Sequence, residues 1–87
     1  MPLTLGEATR AGELAARIIA ADSSIAGIDA RLAENAEIAS MVAILADGNS
    51  VRAEDRMTAT ESRVVFQFVR GLLEARRAAL RAELDAL

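Results

Sequence analysis

The larger apolar residues of the first half of the chain fall at Leu14, Ile18, Ala21, Ile25, Ile28 and Leu32, in steps of four, three, four, three and four. That is the period of an α-helix and, over this stretch, of a heptad seam. The pattern then shifts to Ile38, Val42 and Leu45, with Met41 beside them. A stripe rotates in this way on a straight helix or at a coiled-coil stutter. The spacing therefore predicts one helix over about 7–46, roughly 60 Å long at about 1.5 Å per residue.

Two positions qualify that helix. Asp22, Ser23 and Ser24 are cap-forming residues followed by Gly27, so a break near 22–24 would turn the molecule into a three-helix arrangement. Continuity is the stronger expectation, because Ala20, Ala21, Ile25 and Ala26 carry the stripe across the gap. Asn35 falls where the early register would place a seam residue. There it either fixes register or partner number, or sits in water at the edge of the rotated stripe.

Gly48 follows Asp47 at the end of the apolar run, a C-cap signal. The connection is expected over about 47–57. Its polar stretch Val51–Arg56 is either a helical turn capped by Ser50 or an extended excursion, and both remain open. Thr58-Ala59-Thr60-Glu61 then has the form of a capping box. It predicts a second helix over about 59–87, with Val65, Phe66, Val69, Leu72, Leu73, Leu80, Leu84 and Leu87 as its stripe. The only proline is Pro2, so nothing interrupts either helix. The expected fold is all-α, an antiparallel helical hairpin forming a single domain over 1–87. Charge favours that pairing: residues 1–47 hold seven acids and three Arg, residues 48–87 six acids and seven Arg.

The second helix carries more apolar surface than a hairpin needs. At about 100° per residue, Leu73, Leu80, Leu84 and Leu87 form one ridge, and Ala75, Ala79, Ala82 and Ala86 form another. Arg76 and Glu83 lie between them. The first segment repeats the feature with Ala26, Ala30, Ala33, Ser40 and Ala43. Either the alanine ridges meet another chain, or they are simply good helix formers. Gly71 likewise marks either drift or the close approach of another helix.

Composition sharpens the choice. The chain is 53% hydrophobic but only 2% aromatic, both aromatics being Phe. Val64, Val65, Phe66 and Phe68 point in several directions around one turn and cannot all face one neighbour. Some must stay exposed in a lone hairpin, and exposed clusters mark interaction sites. Completion by oligomerisation is therefore expected, with Phe66, Phe68, Val65, Arg76, Ala75, Ala79 and Ala82 as candidate interaction residues.

The net charge of −3, with no basic cluster and no stacking platform, argues against nucleic acid as partner. All ten cationic residues are Arg, which reflects either genomic base composition or a use for two-pronged pairing at an interface. There is no His and no Cys, which removes the usual general base, the thiol nucleophile and most zinc sites. No Gly-x-Ser-x-Gly or phosphate-binding loop is present. Glu34 with Glu37, and Glu54 with Asp55, are the nearest approach to a cation site, and surface solvation accounts for them better. No catalytic residue, metal or cofactor is assigned, and no enzyme activity is expected. The apolar runs are too short to span a bilayer. The first helix is too acidic for membrane-surface binding, and no secretory signal is visible. A cytoplasmic protein, or part of a particle assembled there, is expected.

The function expected is therefore that of a structural or assembly protein. It would be a helical hairpin that self-associates or docks on a larger complex, a phage particle component being one setting that suits its size. The alternative is a small acidic inhibitor or adaptor of the anti-CRISPR kind, whose carboxylates stand in for phosphates on a host complex.

Overall fold

A computed structural model describes residues 3–53 and 55–87, with only the backbone of Ala53. Its order is α1 (Leu5–Ala33), β1 (Met41–Ile44), β2 (Ser50–Ala53) and α2 (Ala59–Asp85). Both helices open on a reciprocal capping box. Thr4 takes the Glu7 backbone N–H on its hydroxyl while Glu7 accepts from the Thr4 N–H, and Thr58 and Glu61 repeat the exchange at α2. Each box satisfies two of the donors that a helix start leaves free.

α1 does not break at 22–24, so no three-helix arrangement forms. Asp22 is turned instead to Arg77 of α2, at 2.6 Å. The helix does stop well short of residue 46. Asn35 adopts φ 53°, the left-handed region. The Ala36 N–H returns to the Arg31 carbonyl at 3.0 Å and the Asn35 N–H to that of Leu32 at 3.2 Å. That pair of bonds is a Schellman cap, with Asn taking the place usually held by Gly. Asn35 is thus exposed to water and not a register lock, and it terminates α1. Since a β-branched residue is strained at positive φ, Asn35→Val is expected to lower stability by about 1–2 kcal/mol. Urea unfolding checks this, and an unchanged midpoint would count against the cap.

Beyond this cap the chain forms a β-hairpin, so the fold is mostly helical rather than all-α. Met41 pairs with Ala53, Val42 with Arg52, Ala43 with Val51 and Ile44 with Ser50, antiparallel. The Leu45 N–H donates to the Asn49 carbonyl at 2.8 Å, and the Gly48 N–H to that of Leu45 at 3.0 Å. The Asp47 carboxylate accepts from both the backbone and the side-chain N–H of Asn49. Gly48, at φ 91°, supplies the left-handed residue that a hairpin loop of this kind requires. It is a hairpin residue and not a helix C-cap. The apolar residues 41–45 therefore continue no helical stripe, and Ser40 and Ala43 extend no alanine ridge. Of the two conformations left open for Val51–Arg56, Val51–Ala53 takes the extended one.

The two helices pack antiparallel. Leu14, Ile18, Ala21 and Ile25 of α1 are buried, with Ile28 and Leu32 alongside them on the same seam; the heptad seam read from the sequence is the packed face. Leu14, Ile18 and Leu80 form the core cluster, with Leu84 against it. Ser62 of α2 is fully buried and accepts the Ile38 N–H at 2.8 Å, while the Ile38 carbonyl accepts from the Met57 N–H at 2.9 Å. These bonds fasten the base of the hairpin to the start of α2. The hairpin itself packs against neither helix.

Candidate interaction surfaces

Two surfaces stand out, and each follows from how the chain divides its apolar residues. The first lies on α2. The packed side of this helix carries Ser62, Leu73, Leu80 and Leu84. On the far side, Val64, Phe68, Gly71, Leu72, Ala75, Ala79, Ala82 and Ala86 are all exposed. At about 100° per residue they share an arc roughly 100° wide, and no charged residue from 64 to 86 enters it. Phe68 is 68% exposed, a large share for an aromatic ring.

The predicted interaction residues divide accordingly. Phe68, Ala75, Ala79 and Ala82 come together on this outer face. Val65 is half-buried at the flank, and Phe66 is half-buried on the packed side, bordering a shallow depression with Leu32 and Asn35 at the end of α1. Arg76 stands at the flank, beside a groove that it lines with Arg17, Ser24 and Leu73. The outer face of α1 repeats the small residues at Ala26, Ala30 and Ala33.

The second surface is the hairpin, which sequence reasoning missed. Met41, Val42, Ile44, Leu45 and Val51 are all exposed, Ile44 to 80%. By register, Met41, Ala43 and Val51 share one face of the ribbon, and Val42 and Ile44 share the other with Arg52 and Ser50. A two-stranded ribbon in water is marginal at best without a surface to pack on. The signal that could have revealed it is Asp47-Gly48 beside a run rich in apolar and β-branched residues.

Electrostatics ties the helices together along both flanks of the seam. Arg70 grips both Asp29 oxygens, Nε at 2.6 Å and Nη2 at 3.2 Å, and also donates to Glu74. Arg77 meets Asp22, and Arg10 meets Glu83 at 2.9 Å. Asp22 and Asp29 are seven residues apart, as are Arg70 and Arg77, so the pairs repeat with the seam. Each is partly exposed and contributes little alone, but together they select the antiparallel register. Arg70 thus uses the planar fork of its guanidinium to pair with Asp29 within the chain. At the hairpin end Arg31 pairs with Glu34, Arg56 with Glu37, and Arg63 with the Asn35 amide oxygen. Glu54, the other half of the acidic pair with Asp55, lies outside the described residues, as do Met1 and Pro2.

Among the described residues, three carboxyls lie below their ordinary values. The Arg70 hydrogen bond lowers Asp29 from 3.8, the Asn49 backbone bond lowers Asp47 from 3.8, and the Thr58 backbone bond lowers Glu61 from 4.5. Each binds a proton more weakly folded than unfolded, so its contribution is present in full above the ordinary value and lost as pH falls through the folded one. Stability in urea should hold from neutral pH down to the range of 4.5 to 3.8 and then decline. A midpoint that rose on acidification through that range would contradict the pairing.

Among the described residues, no group of three or more His, Cys, Asp or Glu is placed to hold a metal ion, and no helix is long and apolar enough to cross a membrane. No buried side-chain polar atom there lacks a hydrogen-bond partner. Comparison with protein-family profiles, with characterised proteins and with solved structures gives no match.

Proposed function

We propose that this protein is a non-catalytic assembly module, whose paired helices serve as a short strut and whose β-hairpin is the tip that docks on a larger protein complex. One observation carries this: the hairpin stands clear of both helices with apolar side chains bare on its two faces. A ribbon of four-residue strands does not hold such a shape in water for long unaided, and burying two or three of these side chains in a partner contributes about 1.5–3 kcal/mol each. The overall proportions agree. The chain exposes 6385 Å², whereas a compact protein of 9.2 kDa exposes about 4,900 Å². Its radius of gyration is 16.8 Å, against about 12 Å for a compact domain of this length.

A particle built in the cytoplasm, such as that of a phage, is the proposed setting for such a strut. The acidic inhibitor is the weaker alternative. Asp22, Asp29, Glu34, Glu37, Glu74 and Glu83 already face arginines of their own chain, which leaves fewer carboxylates to imitate a phosphate row.

The test is the mass at which the chain migrates in extract of its native cells. It should travel with a complex far larger than a dimer. Ile44→Asp, at an exposed position, should return it to small size with its helicity intact. Migration at small size by the parent chain as well would refute the docking role.

A further inference from the structure

We infer that the outer face of α2 is a two-fold contact with a second copy of this chain, the two α2 helices running antiparallel. This deepens the assembly reading and rests on it, but it concerns a different surface from the hairpin.

Side-chain size is graded along the stripe. Its leading half carries the bulky residues Val64, Phe68 and Leu72; from Ala75 onward only alanine appears. Gly71 lies near the changeover, and nothing stands within 4 Å of where its Cβ would be. The close approach that a helical glycine permits is therefore not used by α1. A two-fold contact must be complementary to itself. Parallel pairing fails that requirement, setting Phe68 against Phe68 and alanine against alanine across a gap. Reversal satisfies it. With the axis near Gly71 and Leu72, Phe68 of each chain lies over Gly71 and Ala75 of the other, and Val64 lies over Ala79. Bulky residues then enter the spaces left by small ones, as helix packing requires. The outer face of α1 lacks this grading: beyond Leu5 and Ile19 it offers mostly small residues and no matching knobs.

Area points the same way. The surface in excess of a compact chain is about 1,500 Å², and one protomer contributes about 800 Å² to a standard stable interface. The excess is large enough for a contact of that size. The molecule is only 14 Å through its thinnest dimension, so no second layer within the chain covers this face.

Sedimentation equilibrium of the full chain provides the test. The parent should sediment at twice the 9.2 kDa of the chain. Ala75→Glu and Ala79→Arg, both exposed and both good helix formers, should halve that mass with circular dichroism unchanged. The chain has no cysteine, so direction is tested by mixing Phe68→Cys with Ala75→Cys. Antiparallel pairing predicts a disulfide joining one variant to the other, and parallel pairing predicts each joined to itself. A monomeric parent at high concentration overturns the proposal, as does a dimer that survives both charged variants or prefers like-with-like disulfides. None of these outcomes touches the hairpin, whose docking stands or falls on Ile44→Asp.

Discussion

Leu14→Ala is expected to lower stability by about 3 kcal/mol and the thermal midpoint by about 10–20 °C. Leu14 is 1% exposed and sits at the centre of the cluster with Ile18 and Leu80. Among the described residues the buried apolar side chains are few: Leu14, Ile18, Ala21, Ile25 and Leu80. Truncating one removes its transfer free energy and leaves a cavity that two straight helices, clamped by ion pairs at either end, cannot close. Cores this small rarely supply more than about 3–5 kcal/mol, so a single cavity consumes most of the margin. Ile19→Ala is the control. It lies on the same helix, one residue beyond the core, yet is 68% exposed, and its removal should change stability by no more than about 0.5 kcal/mol. Urea and thermal unfolding followed by circular dichroism measure both. Equal effects at the two positions would mean that the packed face of α1 has been misassigned.

The second large effect is local. Ser62→Ala leaves the Ile38 N–H without its acceptor, a loss of about 1–3 kcal/mol. Ile38 uses both of its backbone groups to anchor the hairpin, the N–H on Ser62 and the carbonyl on Met57, so the damage should concentrate there. Hydrogen exchange at the Ile38 and Met57 amides should speed up about 10–100-fold, while amides near Leu14 and Leu80 keep most of their protection. If exchange at Ile38 is unchanged, the buried hydroxyl is not what holds the hairpin to α2. Because the substitution lies outside the ribbon, it should also weaken docking by the hairpin without altering any residue that meets the partner.

Much of the helical architecture was legible in the sequence, for a physical reason. The seam from Leu14 to Leu32 and the capping box at Thr58 are local signals whose meaning does not depend on tertiary context, and both are present in the fold. The unequal charge of the two halves likewise fits the cross-helix pairs of Asp29 with Arg70 and Asp22 with Arg77. The hairpin was not legible by spacing alone, because a short apolar run such as 38–45 fits a buried helix and a strand equally well. Two local signals break the tie. Asn35 can end a helix in the left-handed conformation where most residues cannot, and Asp47-Gly48 is a hairpin turn when strand-forming residues flank it. Continuing the helix through Asn35 hid the first, and treating Gly48 as a C-cap hid the second.

The candidate surfaces show the same division. The alanine ridge of α2 was visible from helical periodicity, and it lies exposed beside Phe68. Phe66 was grouped with it because it is bulky and adjacent in sequence, although helical geometry turns it toward the α1 side and leaves Val65 at the flank. Which large residues are left over on a helix is set by the direction of its single partner, and sequence alone does not give that direction until one ridge is assigned to the core.

A second chain covering apolar surface that two helices cannot hide is the central claim, and the thermal midpoint measured across a range of protein concentrations tests it most directly. Unfolding coupled to dissociation predicts a midpoint that drops by about 4 °C for each tenfold dilution. A midpoint indifferent to concentration, together with a sedimenting mass of 9.2 kDa, would contradict it.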